Sequence, residues 1–178
     1  MALPTSAYEQ KSNIESSKAT YSAVIADFVP VANATDFATL VGAAGKTLTV
    51  TNVRFSGSAT ASTFQGMYGY KRTALDTGGT ATATAIATHD SQDAAPRGVV
   101  SQYSVNPVSL GAGNLIRSDH MGLPAAAAGT TSLVWDFGDR AAKAPKLQNA
   151  NESFCINFAG AAVPAGINLH VTIEWTEE

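Results

Sequence analysis

Apolar and polar side chains alternate along residues 170–175. Val171, Ile173 and Trp175 fall on one face, and the polar residues between them fall on the other. A period of two is typical of a β-strand with one buried face and one solvated face. Similar short segments recur at residues 21–28, 36–41, 46–55, 63–72, 80–88, 98–105, 114–121, 133–137 and 154–158, with a shorter one opening at Leu147. The chain is therefore predicted to consist mainly of short strands.

Glycine, proline and asparagine separate these segments, and no amphipathic helix of ordinary length competes with them. About nine short strands with this spacing predict an all-β fold, an antiparallel β-sandwich of the jelly-roll type. The alternation changes phase near Thr51 and Asn52, which predicts a β-bulge. The threonines and alanines of residues 80–88 fit a strand but also fit a low-complexity linker. The phases predict one buried cluster that contains Trp135, Phe137, Phe154, Ile156, Phe158, Val171, Ile173 and Trp175.

Residues 1–18 differ from the rest of the chain because they are polar and weakly patterned. Tyr8, Lys11, Ile14 and Lys18 fall at near-helical spacing, which leaves a helix as the alternative, but the set is poor. We therefore expect an extended arm that orders against a neighbouring protein. Leu3, Tyr8 and Ile14 are the side chains of this arm that we expect to bind a partner. The predicted organisation is an N-terminal arm at residues 1–18 and a single β-sandwich domain at residues 19–178.

The chain carries few charges, which make up 14% of its 178 residues and leave a net charge of -3. Nucleic-acid binding needs a basic patch that neutralises phosphates, so no nucleic-acid partner is expected. No run reaches the roughly 18 apolar residues of a membrane helix, and residues 1–15 lack a signal-peptide core. We therefore expect no membrane partner and synthesis in a cytoplasm. A surface with few charges suits broad protein contacts, since little charge must be desolvated.

Two short motifs match nucleotide-enzyme signatures without their context. The GAAGKT sequence at residues 42–47 would need a glycine where Leu40 stands. A phosphate-binding loop would also need a helix after Lys46, where the pattern predicts a strand. The DFG sequence at residues 136–138 lacks the other kinase motifs. Neither nucleotide binding nor kinase activity is expected.

Histidines and acids offer weaker alternatives. A metal or acid–base site would draw on His89, Asp90, Asp93, Asp119, His120 and His170. Several of these are sequence neighbours, which point to opposite faces of a strand and chelate poorly together. A serine–histidine–aspartate triad stays open, although no GxSxG sequence is present. A glycan hydrolase would need two facing carboxylates about 5–10 Å apart, for which Glu152, Glu174 and Asp119 are scattered candidates. We expect no enzyme, no cofactor and no bound metal.

Two further features are predicted to be structural. Cys155 is the only cysteine of the chain, so no intrachain disulfide forms, and its strand position predicts a small, semi-buried residue. In the WDFGDR sequence at residues 135–140, Gly138 permits a sharp turn after the strand. Asp136 and Asp139 can then bind loop N–H groups or Arg140. A calcium site and an intersubunit ion pair are the alternatives.

Several strand and turn sequences carry a resemblance to a known family. They are VPVANATDF at 29–37, KTLTVTNVR at 46–54, SG at 56–57, KRT at 71–73, TGGT at 77–80, HDS at 89–91, VNP at 105–107, LPA at 123–125, WDFGDR at 135–140 and IEWTEE at 173–178. In this order they resemble a family of small virion structural proteins encoded by tailed bacteriophages and prophages. None of these sequences is a catalytic signature.

The resemblance implies a non-enzymatic β-sandwich component of a phage particle. It points to a capsid decoration (cement) protein that binds the major capsid protein after the head expands. Such a protein would lie on the outer surface of the capsid and be made in the bacterial host cytoplasm. Decoration proteins of this size often form trimers, so a homotrimer is implied. A tail, collar or fibre component that attaches to the host surface is the alternative, favoured if Tyr68, Tyr70 or Tyr103 lined a sugar-binding groove.

Overall fold

The computed structural model describes residues 18–138 and 143–178, which form two antiparallel β-sheets packed as a sandwich. The strands are β1 (Ala19–Phe28), β2 (Asp36–Val41), β3 (Leu48–Ser58), β4 (Thr63–Arg72), β5 (Thr80–Ala83), β6 (Ile86–Thr88), β7 (Val99–Val105), β8 (Gly113–Leu123), β9 (Thr131–Asp136), β10 (Lys146–Leu147), β11 (Ser153–Asn157) and β12 (Asn168–Glu177). A 3₁₀ turn spans Ala126–Ala128. The all-β sandwich predicted from the sequence is confirmed.

The two sheets have different strand orders. The first sheet runs β10-β3-β12-β1-β6, and β9 also pairs with β3. The second sheet runs β5-β7-β2-β11-β4-β8. All pairs of named strands are antiparallel. Jelly-roll connectivity is not established by these orders and stays a prediction.

The predicted bulge in β3 is present. Glu174 of β12 lies opposite Asn52, whereas the next residue, Trp175, lies opposite Val50. Thr51 is therefore the extra residue, and it changes which side chains of β3 face the core. The phase change in the sequence is thus the direct mark of this irregularity.

Residues 80–83 and 86–88 form strands and not a linker, but the division of this segment into two strands was not predicted. β5 pairs with β7 in the second sheet, and β6 pairs with β1 in the first sheet. The chain therefore crosses from one sheet to the other between these strands. The side chains on both faces of this segment are small and weakly polar. Their alternation therefore shows no phase change that would reveal the crossing.

The core lies between the sheets and contains seven of the eight predicted residues in fully buried form. Phe137 is partly buried and packs at the edge of this cluster, with its ring centroid 5.9 Å from that of Phe154. Trp135 and Phe55 pack edge to face at 4.7 Å. Gly69 makes room for the indole, because a Cβ there would lie 3.0 Å from Cζ3 of Trp135.

Glu177 fastens a long loop to one end of the sandwich. Its carboxylate accepts hydrogen bonds from the indole Nε1 of Trp175 at 3.0 Å and from the backbone N–H of Gly98 at 3.0 Å. The N–H of Arg97 also donates to it, at 3.0 Å for the closer oxygen. These bonds satisfy a buried carboxylate and fix the loop that precedes β7.

The predicted arm contacts Leu3, Tyr8 and Ile14 lie outside the described residues. The first described residue, Lys18, forms an ion pair with Glu178. Within the described ranges, no helix is long and apolar enough to span a membrane.

Candidate functional site

The histidines considered for metal binding have separate surroundings. Nε2 of His170 lies 3.5 Å from Oδ1 of Asp27 on the surface. His120 is exposed on β8, and the backbone N–H of His89 donates to the carbonyl of Thr20. Among the residues that the structure describes, the one group of three potential ligands contains no histidine.

The carboxylates considered for glycan hydrolysis lie on different elements. Asp119 of β8 accepts a hydrogen bond from the indole Nε1 of Trp135 at 2.8 Å. Glu152 precedes β11 and pairs with Nζ of Lys71 at 3.2 Å. Glu174 lies on β12 in the first sheet. Asp119 and Glu152 therefore serve to hold the sandwich and its loops together.

The GAAGKT and DFG sequences, which match nucleotide-enzyme signatures, both form turns. A strand, β3, follows Lys46, as the sequence predicts. Oδ1 of Asp136 accepts a hydrogen bond from the N–H of Gly138 at 2.8 Å, which closes the predicted turn after β9. Asp139 and Arg140 lie outside the described residues, so the calcium and ion-pair alternatives stay untested.

A buried polar cluster lies on the outer face of the second sheet. Phe154 and Ile156 of β11 point into the core. The residues between and beyond them, Ser153, Cys155 and Asn157, alternate to the opposite face and are nevertheless buried. Something other than the opposing sheet must therefore cover this face.

An ion pair forms the centre of the cluster. Arg72, at the end of β4, donates from Nε to Oδ2 and from Nη2 to Oδ1 of Asp36, the latter at 2.8 Å. The amide of Asn157 donates to the same carboxylate. Side-chain exposure is 6% for Arg72 and 0% for Asp36. Two parallel bonds in a desolvated site are the strong form of this interaction, and losing either partner leaves a buried charge.

Two paired loops, residues 73–79 and 106–112, are held against this cluster. We call them the loop pair; backbone hydrogen bonds join them to each other. The carbonyl of Gly111 accepts a hydrogen bond from Nη1 of Arg72 at 2.7 Å. The N–H of the same residue donates to Oδ1 of Asp76 at 2.8 Å. The backbone of Gly111 is thus bound at its carbonyl by Arg72 and at its N–H by Asp76.

Asp76 is the least satisfied member of the cluster. Its side chain is 2% exposed, and its Oδ2 has no hydrogen-bond partner. Burial raises the pKa of Asp76 to about 6, against the lowering effect of the Gly111 N–H and with a further increase from Asp36. This carboxyl therefore titrates near neutral pH.

The cluster also includes a cysteine, which raises the question of a metal. Asp36, Asp76 and Cys155 each place one potential ligand atom within 4.8 Å of the others. Arg72 already takes both oxygens of Asp36 and supplies the positive charge. Burial raises the pKa of the Cys155 thiol well above its usual range, so the thiol is neutral. The geometry favours an ionic and hydrogen-bonded cluster over a metal site.

This cluster could not be predicted from the sequence pattern because its members are far apart in the chain. Asp36 is 36 residues from Arg72 and 121 residues from Asn157. The sequence contains one weak signal of the cluster. Arg72 follows Tyr68 and Tyr70 in the same alternation and therefore places a charge on their face of β4. Asp76 carries no such signal, because an aspartate before two glycines is an ordinary turn residue.

An exposed apolar surface lies at one end of the second sheet. Phe64 of β4 is 75% exposed, and it lies at the edge of a shallow cavity of about 270 Å³. The lining residues are Ser62, Thr63, Phe64, Gly122, Leu123, Pro124 and Thr131. None of them is charged, so binding of a partner would require little desolvation of ionic groups. We call this region the Phe64 surface.

Three tyrosines share the outer face of the second sheet, but they do not form an open row. Tyr68 lies over Gly66, where a Cβ would be 2.9 Å from its hydroxyl. The guanidinium of Arg72 covers the ring of Tyr70 at 4.9 Å. Burial raises the pKa of Tyr103, which faces the cluster. Arg72 therefore blocks one of the three rings that a sugar would stack on.

Comparisons with known proteins add little to this geometry. No protein-family model and no curated protein matches the chain. Among solved structures, the chain is similar to one described as "Structure of deformed wing virus carrying the GFP gene", at 10% identity. That match covers 100% of this chain and 87% of the other, with a TM-score of 0.32. A likeness at this TM-score carries no argument about function.

Proposed function

We propose that this chain is a non-enzymatic structural component of a bacteriophage particle, a capsid decoration protein that binds the major capsid protein. The observation that carries the proposal is the Phe64 surface, where an exposed phenylalanine lies beside an uncharged cavity of about 270 Å³. An exposed aromatic beside a cavity is the kind of anchor that dominates protein interfaces. The resemblance of the strand and turn sequences to virion proteins supplies the class of partner.

In this proposal the protein lies on the outer surface of the capsid as a homotrimer. The sandwich sits over a junction between capsid subunits, and residues 1–18 lie along a neighbour. These contacts exist on the assembled shell and not on free protein, so binding stabilises the shell by linkage. Many copies add weak contacts into strong overall attachment.

The Phe64 surface and the arm would contact the shell at different places. Residue 19 pairs with Glu177, which pairs with Leu48 at the start of β3. The Phe64 surface lies beyond the other end of β3, since Ala59 bridges to Ala125 beside Pro124. β3 has 11 residues, so these ends are about 30 Å apart along the strand. Two anchors at that distance would resist tilting better than one.

Deleting residues 1–17 should leave a folded domain with little change in melting temperature, because the buried core begins at Tyr21. The truncated protein should bind expanded heads more weakly, since the arm's contacts are completed by a partner. Each form is added to expanded heads that were prepared without the protein. The measurement then compares how much of each form binds and how well the heads resist heat. A full-length variant with serine at Leu3, Tyr8 and Ile14 removes the same apolar side chains without shortening the chain, and it should bind as weakly as the deletion. Equal binding and equal protection by the truncated form would show that the arm is not an anchor.

Phe64→Ser should reduce head binding by roughly tenfold or more, because a central aromatic anchor is lost. Its effect on stability should stay within about 0.5 kcal/mol, since the side chain is 75% exposed. Val24→Ser is the control, because Val24 is 54% exposed on β1 in the other sheet. Binding is measured by titration onto expanded heads. Unchanged binding by the Phe64 variant would remove this surface from the interface.

A tail, collar or fibre component is the second candidate. Phe64 and Tyr68 share one face of β4, with polar residues of β8 beside them, and aromatic faces can stack on sugar rings. The same binding assays separate the two proposals. Protein that ignores heads but binds tails, host cells or host glycans would replace decoration with host attachment.

A further inference from the structure

We propose that Asp36 and Asp76 share one proton, and that this proton holds the loop pair closed over the outer face of the second sheet. The unpartnered Oδ2 of Asp76 is the observation that carries this inference. An oxygen of each carboxyl lies within 4.8 Å of the other, inside a site that excludes water. A proton on Asp76 turns its orphaned acceptor into a donor toward Asp36.

The charges of the cluster require such a proton. Two ionised carboxyls against the single guanidinium of Arg72 would leave one buried negative charge without compensation. Burying an unpaired charge is costly, and the usual response is protonation. Asp36 already accepts bonds from Arg72 and Asn157, so Asp76 is the carboxyl that holds the proton.

The other groups that face Asp76 are Asp36, Arg72, Cys155, Tyr103 and the backbone of Gly111. Asp36 of β2 is bound to Arg72 of β4, which stays charged. Burial raises the pKa values of Cys155 on β11 and Tyr103 on β7, so the thiol and the phenol stay neutral. The N–H of Gly111 is a fixed donor to Oδ1 of Asp76. A change in loop closure near neutral pH would therefore report on Asp76.

The direction of the pH effect follows from the raised pKa. In the closed form the pKa of Asp76 is about 6, against 3.8 for a solvated aspartate. Closure is most favourable below about pH 4 and weakens as the pH rises through about 6. The closing equilibrium should fall by up to roughly 100-fold across this range and then level off. The loop pair carries the exposed Leu75, Val108 and Leu110, so the proton also controls how this apolar surface is presented.

The test measures amide hydrogen exchange of Gly111 in the full-length protein between about pH 4 and 8. Exchange is expressed as protection relative to an unstructured peptide at each pH. Wild-type protection should fall as the pH rises through the titration of Asp76. Asp76→Asn, whose amide donates permanently, should keep protection nearly constant. Asp90→Asn changes an exposed carboxyl that caps Gln92, and should retain the wild-type pH profile.

A direct titration of the Asp76 carboxyl carbon by NMR makes the test independent of any variant. An apparent pKa near that of a solvated aspartate, or identical pH profiles for wild type and Asp76→Asn, would overturn the proposal. Stoichiometric zinc in the purified protein that disappears in Cys155→Ser would also overturn it. In that case a cation, and not a proton, neutralises the cluster.

Discussion

Trp135→Ala should lower the free energy of unfolding by about 3–5 kcal/mol, because it removes the indole from a site that cannot collapse. Trp135 of β9 is 0% exposed and packs edge to face against Phe55 of the paired strand β3. Gly69 lies against the same ring and offers no side chain to fill the space. The substitution also removes the hydrogen bond that the indole N–H donates to the carboxylate of Asp119.

Urea unfolding followed by fluorescence and circular dichroism measures this loss. Trp135→Phe helps to separate the two contributions, because it keeps an aromatic ring in the core and removes the hydrogen bond to Asp119. That variant should cost about 1–2 kcal/mol. A change below about 1 kcal/mol for the alanine variant would show that the two sheets do not pack through this residue.

Arg72→Met should also cost about 3–5 kcal/mol, because it leaves the carboxylate of Asp36 buried without its charge partner. The same substitution removes the bond to the carbonyl of Gly111, so the loop pair should become sensitive to proteases. Chemical unfolding and limited proteolysis measure the two effects. The stability loss comes from the uncompensated charge and not from lost volume, since methionine is of similar length.

A second substitution tests that explanation. Adding Asp36→Asn to Arg72→Met removes the unpaired charge and should recover a substantial part of the stability. Lys71→Met is the matched control, because Lys71 neighbours Arg72 but forms a partly exposed pair with Glu152. Its cost should stay below about 1 kcal/mol. Equal losses for the Arg72 and Lys71 variants would mean that the buried pair contributes no more than a surface pair.

The sequence predicted the sandwich well because the core is made by alternation. Val171, Ile173 and Trp175 lie on the core face of β12, and the phase change at Thr51 marks a real bulge. Those signals are local, since each depends on neighbours two residues apart. Phe137 is the partial exception: it follows the last residue of β9, where the chain turns, and so reaches only the edge of the core.

The candidate site could not be predicted in the same way. The contacts of Asp36 with Arg72 and Asn157 depend on how β2, β4 and β11 are ordered in the second sheet. Alternation gives a face to each side chain but says nothing about which strand is its neighbour. The crossing between β5 and β6 was missed because the alternation of threonine and alanine keeps its phase where the chain changes sheet. The burial of Asp76 depends on the loop pair, whose position no strand pattern encodes.

The position of β12 has a consequence for how quickly the protein folds. Residues 168–177 lie between β1 and β3 in the first sheet, so β1 joins a segment about 150 residues away along the chain. Until that segment is available, β1 and β3 lack their shared neighbour. Chains dominated by such distant pairings fold in milliseconds to seconds, far more slowly than helical bundles of similar stability. During that interval the unpaired edges of β1 and β3 are open to association with other chains, so refolding yield should fall as protein concentration rises.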